Sequence, residues 1–291
     1  MKKTLSYLGI GLLAIFGYFT INIYLALEEA EVFKTAVYET EAPDLPPNFS
    51  GPAILVFSKT DGFRHKDAIA AANRLFAQFA KKRDWPIFFT ENAAIHNSDQ
   101  LKHFPVIIWN NNTGDLLTED QQQALKDYLM NGGNWLGIHG AGGTREFVWE
   151  WHPEELLKAR FVGHPLFPQF PEATVVIENQ NHLTTRHLPK RWTRSDEWYS
   201  FEESPRSRGV EVLASLDEST YNPKLDLKMQ GDHPLIWTHT IGKGTVFYSA
   251  LGHQASAYQE PEYRTMLENA LIWLMNSAAD NKVEEAEEGL N

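Results

Sequence analysis

The sequence predicts an α/β fold: a doubly wound, mainly parallel sheet with additional strands in the C-terminal half, preceded by an N-terminal transmembrane helix. Three observations carry this expectation. Short apolar runs alternate with helical patterns between Ala53 and Ile138, the second half is rich in strand-like runs, and an uncharged stretch follows the first three residues.

That stretch, "TLSYLGIGLLAIFGYFTINIYLAL" (4–27), is long enough to cross a bilayer core of ~30 Å as a helix. A cleaved signal peptide is the alternative, but its apolar region usually runs ~7–15 residues and ends in a small-x-small site, which "YLALEEAE" lacks. A buried core helix is the other, and a terminal helix apolar on every face would be hard to cover. Lys2 and Lys3 before the run, with Glu28, Glu29 and Glu31 after it, place the rest outside the cytoplasm, held by the inner membrane. Residues 1–33 are therefore expected as an anchor or signal segment. Residues 34–51, rich in Pro and acid, read as a linker.

The main domain is expected over 52–276. "AILVF" (53–57) is a buried strand, and "KDAIAAANRLFAQFAKK" (66–82) has helical spacing of Ile69, Leu75, Phe76 and Phe79. "PIFFT" (86–90) and "PVIIW" (105–109) are further strands. "TEDQQQALKDYLMNGG" offers Thr118 as N-cap, Gln121 three residues on, and Gly132 as the stop. "NWLGI" (134–138) follows. This alternation implies a parallel sheet covered on both faces. Strands at 173–178, 210–214, 234–240 and 244–249 precede a last helix that Pro261 opens. Residues 277–291 are polar and acidic and read as a frayed tail.

Composition removes several function classes. There is no cysteine, so disulfides, thiolate metal sites and Cys nucleophiles are excluded. Lys and Arg total 26 against 38 acids, for a net charge of -12, and no basic block occurs, so nucleic acid is not an expected partner.

In open parallel sheets, ligands bind beyond the carboxyl ends of the strands. Those positions hold Asp61, Arg64 and His65 after the first strand, Asn112 and Asp115 in "NNNTGD", His139 in "GIHGA", and His253 in "ALGHQ". "GIHGA" has the small-residue frame of a nucleophile elbow, which exposes one side chain above a sheet on a tight turn. An imidazole there serves as general acid or base, or as a metal ligand. A second set lies in "RSDEWYSF" (194–201), "GDHP" (231–234) and "GHPLF" (163–167). In the first of these, Asp196 and Glu197 beside Trp198 and Tyr199 suit a polyol, with carboxylates for hydroxyls and rings for apolar sugar faces. Phe147, Trp149 and Trp151 form either an aromatic wall or packing beneath a loop. No tight metal motif is present, yet histidines from distant loops allow zinc or a similar divalent ion.

The segments "ILVFSKTDGFRH", "NNTGDLLTEDQQQALKDYLMNGGNWLGIHGA", "LPKRWTRSDEWYSF", "GDHPLIW" and "YSALGHQASAY" together resemble the ThuA-like family, named for trehalose utilization, from about Pro52 to Met275. The resemblance implies a flavodoxin-like sheet with extra strands, similar to class I glutamine amidotransferases. In those enzymes the elbow carries Cys and a His follows a late strand. Here His139 stands at the elbow, His253 matches the late His, and the Cys is missing, so amidotransferase activity is not implied. The family's association with sugar catabolism implies a small-molecule carbohydrate ligand and a sugar oxidoreductase as a partner.

The expected function is acid/base or metal-assisted chemistry, hydrolysis or isomerisation, on a glycoside or keto-sugar outside the cytoplasm. The alternative is a non-catalytic carbohydrate-binding or assembly protein using the same cleft. His139, His253 and Glu197 are the expected catalytic residues. Arg64, His65, Asn112, Asp115, Asp196, Trp198, Tyr199 and His233 are the expected substrate contacts. His139, His233, His253 and Glu197 are the candidate ligands of a metal.

Overall fold

The apolar runs at 53–57, 105–109 and 134–138 become strands with four or five consecutive buried positions, which suit an element covered on both faces, and the run at 86–90 becomes a partly exposed edge strand. The computed structural model describes residues 2–47, 49, 52–145 and 149–288. In chain order these form α1 (Lys2–Glu29), β1 (Ile54–Phe57), α2 (Lys66–Lys82), β2 (Ile87–Thr90), α3 (Ser98–Leu101), β3 (Val106–Asn110), α4 (Glu119–Met130) and β4 (Asn134–Ile138). Then follow β5 (Phe161–Gly163), β6 (Glu172–Ile177), β7 (Arg191–Ser195), β8 (Ser200–Phe201), β9 (Glu211–Asp217), β10 (Pro234–Ile241), β11 (Gly244–Ser249) and α5 (Pro261–Glu288).

The main sheet has the order β2-β1-β3-β4-β11-β10-β9-β6-β7. Its first five strands are parallel. Beyond β11 each pairing is antiparallel. The parallel part thus has a 2-1-3-4-5 doubly wound order. The crossovers from β1 to β2 and from β3 to β4 run in opposite directions, so right-handed connections put α2 and α4 on opposite faces. Helix α5 joins α2 through Glu268, which pairs with Lys82 at 2.8 Å and Arg83 at 3.1 Å. Thr118 and Gln121 make the expected capping box of α4.

Four findings depart from the sequence reading. Strand β7 was not expected. It alternates outward and inward residues, and one inward position is Arg194, held over the rings of Trp192 and Tyr263. The tail does not fray at Ser277, because α5 continues to Glu288. The linker is not a free spacer: Lys59 donates to the carbonyl of Val37 and the carboxylate of Glu39, and Phe49 packs edge-on against Phe104.

The fourth departure concerns the anchor. Among the described residues no helix is long and apolar enough to cross a membrane, so the structure gives the expected anchor no support. Side chains 2–11 and 14, within the run on which the anchor was read, lie outside the described ones. The carboxyl end of α1 reaches the domain, where the amide of Arg64 donates to the Ala30 carbonyl at 2.7 Å.

Candidate functional site

The carboxyl ends of β1, β3, β4 and β11 meet on one edge, as parallel strands in register must. The loops after β1 and β3 touch through a bridge between Thr60 and Thr113. After β4, His139 opens a 3₁₀ turn with φ +43°, a left-handed backbone that a non-glycine residue adopts only at a cost. Gly140 lets this turn close, since a Cβ there would stand 2.9 Å from the Asn111 carbonyl oxygen. Gly252, at φ +111°, makes the matching turn after β11 and sets up His253.

These turns bring His139 and His253 together. His139 is wholly buried, and its Nδ1 lies 2.7 Å from the Ala250 carbonyl. In the neutral ring this bond holds the proton on Nδ1 and leaves the lone pair on Nε2. Nε2 faces His253 Nδ1 at 3.1 Å and Glu197 Oε2 at 3.3 Å, and His253 Nδ1 lies 2.9 Å from the same carboxylate oxygen. The His65 ring stands nearly perpendicular to both, with centroids 4.9 Å from His139 and 4.7 Å from His253. One potential ligand atom from each of His65, His139, Glu197 and His253 falls within 4.8 Å of all the others.

The other oxygen of Glu197 accepts from Gln169 at 2.7 Å and faces His164 Nδ1 at 3.0 Å. Burial alone would push the Glu197 carboxyl up, but its polar contacts with the imidazoles of His139, His164 and His253 outweigh it and hold it well below the usual carboxylate range. Burial drives the His65 imidazole well below its ordinary value, and the neighbouring His139 and His253 add to this. At neutral pH the ring therefore holds an ionised carboxylate beside a neutral His65.

The cluster opens on a cavity of about 410 Å³ lined by His65, Glu197 and His253 together with Phe63, Phe161, His164 and Tyr199. Leu27, from α1, forms part of its rim.

Other expected residues take different places. His65 joins the cluster, whereas His233 does not: buried, it faces Glu218 at 2.9 Å and the Tyr199 carbonyl at 2.8 Å, leaving no nitrogen for a ligand. Asp196 is buried and occupied, accepting from Arg194 and from the backbone amides of Glu197, Gly252 and His253. It positions two cluster loops and offers no oxygen to the cavity. Trp198 is wholly buried, donates to the Pro171 carbonyl and does not line the cavity. Asn112 ties the Lys59 carbonyl within the loops. Arg64 does not line this cavity and pairs with Glu91 at 2.5 Å. Asp115 accepts from the Trp149 amide and does not line the cavity. Of the four expected carbohydrate neighbours in "DEWY", Glu197 and Tyr199 line the cavity.

Trp149 and Trp151 stack on each other beneath Lys126 of α4, which is packing, while Phe147 lies outside the described residues. Sequence reasoning singled out "GHPLF" but gave His164 no role; Gln169 and Phe161 carried no signal. The antiparallel pair β5–β8 places them, by setting Phe161 opposite Phe201 and Gly163 opposite Ser200.

Fold and site define a class: a doubly wound α/β protein with an imidazole at the elbow where related folds carry a nucleophile. The chain belongs to the ThuA family, described as trehalose utilisation, whose model matches residues 53–274. Among solved structures it is similar to a putative ThuA-like protein from Bacteroides uniformis, at 25% identity and a TM-score of 0.66 over 79% of this chain and 95% of that one. A putative ThuA-like protein from Parabacteroides merdae shares the fold at 14% identity and a TM-score of 0.59, over 78% and 90% of the two chains. A cytoplasmic protein from Salmonella typhimurium shares it at 16% identity and 0.51, over 76% and 99%. No curated relative matches the sequence. The family supports a carbohydrate-related role.

Proposed function

We propose that this protein processes a carbohydrate in the cavity at the carboxyl edge of its sheet, by hydrolysing or isomerising a glycoside or keto-sugar. One observation carries the reading: His139, His253 and Glu197, from three separate loops, meet in hydrogen-bonding reach, with His253 and Glu197 lining a cavity of about 410 Å³ and His139 buried against them. Cavities of ~300–1,000 Å³ suit small ligands. Phe63, Phe161 and Tyr199 offer rings to apolar sugar faces, and the imidazoles and carboxylate supply groups for proton transfer or for holding an ion. A keto-sugar substrate would need an oxidoreductase to supply it.

The same proposal places the domain outside the cytoplasm behind the N-terminal helix. Its support is the charge asymmetry around residues 4–27. A C-terminal reporter active only in the periplasm would be silent if this location is wrong.

The test uses the full chain in detergent, incubated with disaccharides and their 3-keto forms, with products resolved by chromatography. Turnover of at least one sugar is expected, and His139→Ala should lower it by roughly 10²–10⁴-fold, the usual contribution of a positioned acid or base. Saturable binding without turnover would instead establish the non-catalytic reading, and no binding at all would end the carbohydrate assignment.

A further inference from the structure

We propose that His65, His139, Glu197 and His253 together bind one divalent first-row transition-metal ion, which takes a hydroxyl or carbonyl oxygen of the sugar from the cavity side. The sugar half of this statement rests on the function proposed above; the ion half stands on the geometry alone.

The separations fit an ion. Tetrahedral ligands at about 2.0–2.1 Å from zinc stand about 3.3–3.4 Å from one another. The three pairs among His139, His253 and Glu197 are 2.9, 3.1 and 3.3 Å apart, and the His65 ligand atom is within 4.8 Å of the rest. The hydrogen bonding around the imidazoles also suits an ion. When the His139 ring is neutral, the Ala250 carbonyl holds its proton on Nδ1 and leaves Nε2 to an ion, which is how metal-bound imidazoles are commonly oriented. His65 carries a buried Nδ1 with no hydrogen-bond partner. Four such atoms around one point repel each other unless protons or a cation sit between them.

The supporting groups are those a metal site requires. Gln169 and His164 hold the outer oxygen of Glu197, and Asp196 holds the backbone of Glu197 and His253. The described residues lining the cavity include no Lys or Arg to neutralise Glu197 instead. Imidazoles with one carboxylate and no thiolate suit Zn, Mn, Fe, Co or Ni.

The test is metal binding, with no sugar present. The full chain, stripped with a strong chelator, is titrated with zinc by calorimetry and with cobalt by visible absorption. One equivalent of each is expected, with a cobalt band of low-symmetry nitrogen and oxygen coordination. Gln169→Ala, at a half-buried position that spares the four ligands, should weaken zinc by about 10–100-fold. No saturable uptake, or a Gln169→Ala affinity equal to the parent's, overturns the inference. Sugar turnover by the stripped protein would overturn it too while leaving the proposed function in place.

Discussion

His96 shows how a single side chain sets the acid limit of this fold. Its Nδ1 donates to the Ala93 carbonyl at 3.0 Å and its Nε2 accepts from the Trp109 indole at 3.3 Å, an arrangement open only to the neutral ring. Burial pushes its pKa down to about 4, and the Ala93 bond only partly opposes that. The unfolded chain, with an ordinary value near 6.5, takes up this proton first. Stability is therefore full above about pH 6.5, falls toward pH 4 and levels once the folded ring protonates as well. His152, lowered to about 3, and His239, lowered to about 4, act in the same direction. A His96→Gln variant, whatever its stability at pH 7, should lose less between pH 6.5 and 5 than the parent, by up to about 1.4 kcal/mol per pH unit. Identical slopes in urea melts across that range would refute the assignment. The candidate site was partly legible at this scale: His139 and His253 could be placed because a strand precedes each. Asp196, Trp198 and His233 could not, because polar and aromatic residues in a loop read as ligand contacts whether they face a cavity or satisfy buried backbone.

Among elements, the decisive contact is between the turn after β4 and the loop after β3. Gly140 stands against the backbone of Asn111, with the three nearest atoms 2.9–3.1 Å from where a Cβ would be. None of these atoms is the end of a flexible side chain, so the loops themselves must separate. Gly140→Ala should destabilise by roughly 1–3 kcal/mol, the usual range for overpacking, and should loosen the His139–His253 pairing. Thermal melts read the first effect and imidazole proton shifts the second; an unchanged melt would mean the loops yield freely. Helix α2 was readable from its apolar period, α4 from its capping box and the parallel strands from their apolar runs. Strand β7 was not, since Arg194 occupies an inward position that pattern reading assigns to an apolar residue. Likewise His164 was recognised only as part of a motif, because the short β5–β8 pairing that aims it depends on contacts remote in sequence.

For the molecule as a whole, the segment before β1 behaves as a strap. Lys59, buried to 6% exposure, has its ammonium satisfied by Val37 and Glu39, and Gln121 and Gln100 donate to the carbonyls of Glu39 and Pro43. A chain starting at Pro52 loses these hydrogen bonds and the packing of Phe49, each bond worth about 0.5–1.5 kcal/mol. A chain starting at Lys34 should melt in urea at the parent's midpoint and the shorter one well below it. Equal midpoints would show that the strap adds nothing.

The strap continues from the end of α1, whose Leu27 borders the cavity and whose Ala30 carbonyl receives the Arg64 amide. The opposite terminus departs from the far edge, where α5 passes the amino end of β4 and Asn134 donates to the Leu274 carbonyl. The molecule is thus polar in a practical sense. A bulky group or surface brought up to the carboxyl end of α1 crowds the entrance, whereas one attached behind Glu288 leaves the doorway clear.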